Sequence, residues 1–139
     1  MKKVIFLIIA SIALLNSNNL KAQHKMEQND FVKTFVLDHK TYQMDIQSAG
    51  IATIPNATLS DKGALHIEYA YNSEGEKRNG EMTLMLNLKS ERYEGGWKTV
   101  ADSGNIYQGD LYFKFEKDGQ ANGFYQFGGI NYKITIFKL

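Results

Sequence analysis

Regular alternation of apolar and polar residues is the feature of this sequence that most restricts its fold. In residues 64–72, every second residue from Leu65 to Tyr71 is large and apolar or aromatic. Residues 81–89 repeat the pattern, with methionine and leucine on one face and mainly polar residues on the other. Because successive side chains of a strand point to opposite sides, a period of two is typical of half-buried β-strands.

Further runs of this kind, separated by turn residues, predict about eight strands. Dipeptides such as Asn79-Gly80, Asp118-Gly119 and Asn122-Gly123 supply the positive φ angles that tight hairpin turns require. The predicted strands lie near residues 31–37, 40–47, 50–58, 64–72, 81–89, 92–100, 106–117 and 121–138, and the last of these breaks into two strands at Gly128-Gly129.

In two segments the sequence does not decide between a regular strand and another structure. Residues 28–38 place Phe31 and Phe35 together and fit a short helix as well as a strand. Pro55 cannot donate a ladder hydrogen bond, so it indicates an edge position, a bulge or a loop.

Short connections favour antiparallel pairing of consecutive strands. A meander of this length must close or stack, since it otherwise leaves long exposed edges. We therefore predict an all-β fold, an antiparallel up-and-down meander that forms either a small barrel or a bent sandwich. It is similar in architecture to lipocalin-like and avidin-like small barrels, although Gly96-Trp97 comes too late to be the lipocalin entry motif. Residues 31–139 are expected to form one domain.

The N-terminus has the pattern of a secretory signal peptide. Met1-Lys2-Lys3 is basic, residues 4–15 are apolar, and residues 16–22 are polar and end in a small residue. We predict cleavage after Ala22, followed by a flexible leader over residues 23–30; an uncleaved N-terminal anchor is the alternative. The protein is then exported, periplasmic or extracellular, with no membrane span after cleavage.

Charge and cysteine content narrow the possible partners. Removal of residues 1–22 takes three lysines from the 16 basic residues and leaves 15 acidic residues, for a net charge of −2. No basic patch is visible, so nucleic acid is not an expected partner. The chain has no cysteine, which excludes disulfides and thiolate chemistry.

The motifs of catalysis are missing from the sequence. No Gly-x-Ser-x-Gly element, phosphate loop or dinucleotide fingerprint is present, and the acid pairs lie in charged loops. His66 and Glu68 share one strand face, but two ligands do not make a metal site. We expect a protein that is not an enzyme and that has no catalytic residues, metal or cofactor.

Aromatic residues crowd the last third of the chain. Those on inward faces are expected to fill the core, whereas Tyr112 and Tyr125 are expected to face outward. Such rings suit a flat apolar ligand, a sugar ring or a protein. The candidate ligand-binding residues are Trp97, Tyr107, Tyr112, Phe124, Tyr125 and Tyr132.

Residues 103–121 (SGNIYQGDLYFKFEKDGQA) resemble the signature of periplasmic lysozyme inhibitors of the MliC/PliC type. These are small exported β-barrels with a Ser-Gly-x-x-Tyr element, an aromatic strand and a Lys-Gly turn. The resemblance implies inhibitory roles for Ser103 and Lys117, with Tyr107 as the motif tyrosine, and a loop that enters the lysozyme cleft. The turn here is Lys-Asp-Gly, and the usual disulfide cysteines are missing.

The sequence thus supports three functional hypotheses. The first is a binding module that takes a small apolar or sugar-like ligand in the barrel mouth, or a macromolecule on its aromatic C-terminal strands. The second is an inhibitor of a hydrolase such as lysozyme. The third is a structural or assembly component of the envelope that docks through an open edge strand. The partner is a small ligand or an extracytoplasmic protein, and the oligomeric state is left open.

Overall fold

The computed structural model describes residues 28–116 and 120–139 and confirms the predicted all-β meander. Eight antiparallel strands close into a barrel in sequence order, with β1 pairing β8. The strands are β1 (Tyr42–Ile46), β2 (Gly50–Leu59), β3 (Leu65–Ser73), β4 (Glu76–Asn87), β5 (Arg92–Ala101), β6 (Ile106–Phe115), β7 (Ala121–Phe127) and β8 (Ile130–Lys138). The bent sandwich is therefore ruled out.

Closure also removes the open edge. Each of the eight strands of the described chain pairs with two neighbours. Among the described residues, no strand is left with the open edge through which the third hypothesis expected an assembly component to dock.

Residues 28–37 form helix α1, which settles the open choice for this segment and corrects the predicted strand at 31–37. Gln28, Val32 and Phe35 are buried, at a spacing that puts them on one helical stripe. Residues 28–30 therefore belong to the helix and not to the predicted leader. The rest of that leader and the predicted signal peptide lie outside the described residues.

The buried stripe of α1 closes one end of the barrel. Phe35 packs edge-on against Tyr42, with ring centroids 5.2 Å apart, and its ring lies tilted against Phe115 at 5.7 Å. The Gln28 side-chain oxygen accepts a hydrogen bond from the Phe115 amide at 3.2 Å, and the Tyr93 hydroxyl donates to Asn29 at 3.2 Å. Since a buried amide needs a partner, these contacts fix the helix across the barrel end.

The core lies between α1 and the middle of the barrel. Inward residues of every strand contribute, and the alternation in β3, β4 and β6 has the predicted faces. Pro55 lies in a register shift between Thr53 and Asn56 in the β2–β3 pairing, which fits the bulge among the three predicted alternatives. Among the described residues, no helix has the length and apolar character needed to cross a bilayer.

Two predicted turns are wrong. Asn79-Gly80 lies within β4, and Asn122-Gly123 lies within β7. The turn before β4 is made instead by Glu74 and Gly75, both of which have positive φ angles. The predicted Asp118-Gly119 turn lies outside the described residues.

Candidate ligand-binding site

The barrel end opposite α1 contains an open cavity of about 240 Å³, here called the mouth cavity. Its floor includes Tyr69, Met82, Leu111 and Ile134, which face the core beneath. An eight-stranded barrel has an interior just wide enough to be filled by side chains or to hold one small ligand. This barrel is filled at the helix end and open at the other.

Aromatic rings form a continuous chain along the cavity wall. Tyr132 stacks on Tyr125 at 5.1 Å, and Tyr125 meets Trp97 edge-on at 5.5 Å. Trp97 contacts Phe127 at 6.0 Å, and Phe127 contacts Tyr107 at 5.9 Å. These five residues come from β5, β6, β7 and β8, so adjacent strands supply one connected aromatic surface.

Glycine makes room for the largest of these side chains. Trp97 lies opposite Gly109 in the β5–β6 ladder, and its indole N–H donates to the Gln126 carbonyl of β7 at 3.2 Å. A Cβ at Gly109 would stand 2.9 Å from the indole nitrogen and 2.1 Å from that carbonyl oxygen. The indole therefore reaches β7 only because β6 has glycine at this position.

In the floor of the cavity, a glycine again makes room for an aromatic ring. Tyr69 lies opposite Gly80, which in turn lies opposite Thr99. The ring passes over Gly80, where a Cβ would meet it at 2.1 Å, and the Tyr69 and Thr99 hydroxyls hydrogen-bond at 2.6 Å. Burial raises the pKa of Tyr69, and the Thr99 hydrogen bond only partly opposes that shift. The Tyr69 hydroxyl is thus neutral at ordinary pH.

Tyr125 connects the aromatic chain to the rim. Its hydroxyl donates to the Gln47 carbonyl in the β1–β2 turn at 2.8 Å and lies 3.4 Å from the Ser48 hydroxyl. Burial raises the pKa of Tyr125, with the Ser48 contact acting in the opposite direction. The Tyr125 hydroxyl is therefore fixed at the rim, while its ring is held between Trp97 and Tyr132.

Arg78 is the one charged residue of the described cavity lining. It lies directly opposite Tyr71 in the β3–β4 ladder, and its guanidinium carbon stands 5.0 Å from the centroid of the Tyr107 ring. Its Nε is buried and has no hydrogen-bond partner among the described residues. Burial acts to lower the pKa of Arg78, but a hydrogen bond to Tyr71 and neighbouring negative charge raise it overall.

The cavity contains four of the six predicted ligand-binding residues: Trp97, Tyr107, Tyr125 and Tyr132. The prediction that Tyr125 faces outward is wrong, because it pairs with the inward Leu111 and lies in the cavity wall. The sequence reasoning also missed Arg78, whose inward direction follows once β4 is extended back to Glu76.

Tyr112 and Phe124 lie on the outer surface of the barrel, apart from the cavity. They are cross-strand partners with ring centroids 5.9 Å apart, and Phe124 is 41% exposed. The Arg92 guanidinium lies 3.7 Å from the Tyr112 ring centroid and donates to Glu94 at 2.7 Å. We call these four residues the outer aromatic patch.

The three residues suggested by the inhibitor resemblance are not seen together. Tyr107 lines the mouth cavity, and Ser103 lies in the β5–β6 turn at the same end, where its amide donates to the Glu76 carboxylate. Lys117 lies outside the described residues. Their inhibitory role stays a prediction.

Within residues 28–116 and 120–139, no group of three or more histidine, cysteine, aspartate or glutamate side chains is placed to hold a metal ion. His66 contacts Thr83 at 3.0 Å and Glu81 at 3.8 Å, not Glu68. Comparison with protein-family models, with curated proteins and with solved structures found no match.

Proposed function

We propose that this chain is an exported, non-enzymatic binding protein that holds a small ligand in the mouth cavity. The observation that carries the proposal is the connected wall of five aromatic rings around an open cavity, at the barrel end that α1 does not close. A protein that needed these rings only for its core would bury them, whereas here they border open space.

The size and lining of the cavity favour a compact ligand. Ligand pockets usually measure ~300–1,000 Å³, so a cavity of about 240 Å³ suits a body of one ring or a short chain. Stacked and edge-on tyrosines provide flat apolar surface with hydroxyls at the edge. A flat apolar ring or a single sugar ring fits both properties.

The ionisable groups of the cavity favour binding over catalysis. A general acid or base works best when its pKa lies near the operating pH. The pKa values of Tyr69, Tyr125 and Arg78 are instead raised further above neutral pH. These groups keep their protons at neutral pH and act as donors or as a fixed charge.

Export is the part of the proposal that depends on the sequence alone. The basic, apolar and polar regions of residues 1–22 support it.

Native mass spectrometry of the exported, purified protein tests the proposal most directly. A bound compound of a few hundred daltons is expected, and wild-type protein should gain thermal stability when that compound is added back. Trp97 is the only tryptophan of the chain, so its fluorescence reports on the cavity. Tyr132→Ala should weaken binding, because it removes the stack on Tyr125.

Tyr112→Ala is the matched control, since it removes an aromatic ring from the outer aromatic patch and leaves the cavity intact. Loss of binding in Tyr112→Ala with no effect of Tyr132→Ala would contradict the cavity proposal. It would favour a macromolecular partner on the outer aromatic patch, where the exposed Phe124 and the stacked Arg92 form a surface of the kind enriched in interfaces.

A further inference from the structure

Within the described chain, Arg78 is the charged side chain that β4 directs into the mouth cavity. A surface arginine costs little when its guanidinium is in water, but the Arg78 Nε is buried and has no partner among the described residues. Buried donors without partners are rare in proteins and call for a ligand, an ion or water to explain them.

The guanidinium is held in one orientation. Tyr71 lies opposite Arg78 in the β3–β4 ladder, and the guanidinium carbon of Arg78 lies over the Tyr107 ring of β6, 5.0 Å from its centroid. Stacking on an aromatic face leaves the edge of the planar group, with its donors, free to meet an acceptor. The arrangement therefore presents a preoriented fork at the cavity wall.

No carboxylate of the described chain occupies that fork. Glu74 and Glu76 are the acidic groups near Arg78, and neither forms an ion pair with it within the described residues. The Glu76 carboxylate is bound instead by the amide of Ser103. Arg78 thus keeps its charge available at the cavity.

The same two glutamates limit the charge of an acceptable ligand. One arginine balances one negative charge, and Glu74 and Glu76, which both act electrostatically on Arg78, would repel a second negative charge on a ligand bound there. A planar carboxylate matches the guanidinium fork with two parallel hydrogen bonds. A monoanionic carboxylate therefore fits better than a dianionic phosphate monoester.

We propose that the ligand of the mouth cavity is a small carboxylic acid with a flat or apolar body, whose carboxylate binds Arg78 while its body contacts the aromatic wall. This proposal rests on the proposed function and narrows it, because it excludes a neutral sugar as the preferred ligand. Tyr107 contributes to both parts, since its ring belongs to the aromatic wall and also supports the guanidinium.

Titration calorimetry with matched probes tests the proposal. The probes are a panel of small aryl and alkyl carboxylates, their primary amides, and phenyl phosphate beside benzoate. Wild-type protein should bind the carboxylates at least about tenfold more tightly than the amides, because charge-assisted paired hydrogen bonds are the stronger kind. The preference should fall with added salt, since Arg78 is only partly buried.

Arg78→Met should remove the preference for carboxylates while the amides bind as before, which shows that the cavity is intact. Arg78→Lys should keep only part of the preference, because an ammonium cannot form two parallel hydrogen bonds in one plane. The wild-type ratio of carboxylate to amide affinity needs no variant and holds even if Arg78→Met fails to fold.

The outcomes separate the two proposals. Equal binding of carboxylates and amides by the wild type would overturn the carboxylate proposal and leave small-ligand binding standing. An unchanged preference in folded Arg78→Met, or tighter binding of phenyl phosphate than of benzoate, would also overturn it. Failure of every probe to bind would overturn the carboxylate proposal, whereas the proposed function is overturned when native mass spectrometry finds no bound compound.

Discussion

The hydroxyls of Tyr69 and Thr99 hydrogen-bond to each other at 2.6 Å in the floor of the mouth cavity, across the intervening strand β4. Tyr69 is 4% exposed and Thr99 is 1% exposed, so neither hydroxyl has ready access to water. Their bond satisfies two polar groups at once, and it ties β3 to β5 directly above Gly80.

Thr99→Val should destabilise the fold by about 1–3 kcal/mol. Valine keeps the shape of threonine but removes the partner of the Tyr69 hydroxyl, and a buried hydroxyl without a partner costs its full desolvation. Urea unfolding, followed by Trp97 fluorescence, measures the loss.

A double-mutant cycle with Tyr69→Phe provides the control. Because Thr99→Val/Tyr69→Phe leaves no unpaired hydroxyl at this contact, its cost should be smaller than the sum of the two single costs. Strict additivity would mean that the two hydroxyls do not interact.

Gly80→Ala should destabilise the protein by roughly 1–3 kcal/mol, the usual cost of forcing extra atoms into a packed site. The new methyl group would stand 2.1 Å from the Tyr69 ring, which must move off Thr99. Gly96→Ala is the matched control on β5, since its new Cβ would meet its nearest neighbour at an ordinary 3.6 Å. Thermal unfolding of both variants checks the difference; similar stabilities would contradict the role of Gly80.

Gly80 also shows what the sequence does and does not reveal. The alternation in β3 and β6 follows the two-residue period of the strand backbone, so these strands, their faces and the antiparallel meander could be predicted from it. The choice of a closed barrel over a bent sandwich is decided by the pairing of β1 with β8. Asn79-Gly80 has the composition of a tight turn, yet here the glycine lets a ring cross the strand. The two uses of glycine look alike until the register between β3 and β4 is known.

The candidate site was predictable only in part for the same reason. Trp97 and Tyr132 were identified because aromatic residues are concentrated near the C-terminus. Tyr125 was predicted to face outward, but its pairing with Leu111 turns it inward, and that register cannot be read from a strand with aromatic residues on both faces. Arg78 was missed because the predicted β4 began at residue 81, which left it in a loop where arginine is expected in water.

Phe35→Ala should cost about 3–5 kcal/mol of stability, within the range for removing a buried aromatic side chain. Phe35 is 1% exposed and contacts Tyr42 and Phe115, so its loss opens a cavity between α1 and the barrel. Leu37→Ala is the control on the same helix, since Leu37 is 83% exposed and should change stability by less than ~0.5 kcal/mol. Chemical unfolding of both variants measures the difference; equal effects would mean that α1 does not seal the barrel.

Glu94 should make the stability of the protein vary with pH in the acid range. The hydrogen bond from Arg92, together with those from Asn87 and Ser90, lowers the pKa of Glu94 from its ordinary 4.5 to about 2. A carboxylate whose pKa is lower in the folded state contributes stability above its unfolded pKa and loses that contribution as the pH falls through its folded pKa. The contribution of Glu94 is therefore complete above about pH 4.5 and disappears as the pH approaches about 2.

Glu94→Gln should remove this part of the pH dependence. The carboxylate is partly exposed to solvent, so the change should stay below about 1 kcal/mol, as for other surface ion pairs. Urea unfolding of wild type and variant at pH 5 and at pH 2.5 checks it, with the two stabilities converging at the lower pH. Ser90→Ala removes one of the three hydrogen bonds and leaves the carboxylate in place, so it should give an intermediate slope. A constant difference between wild type and Glu94→Gln at both pH values would show that Glu94 stabilises the fold without its charge.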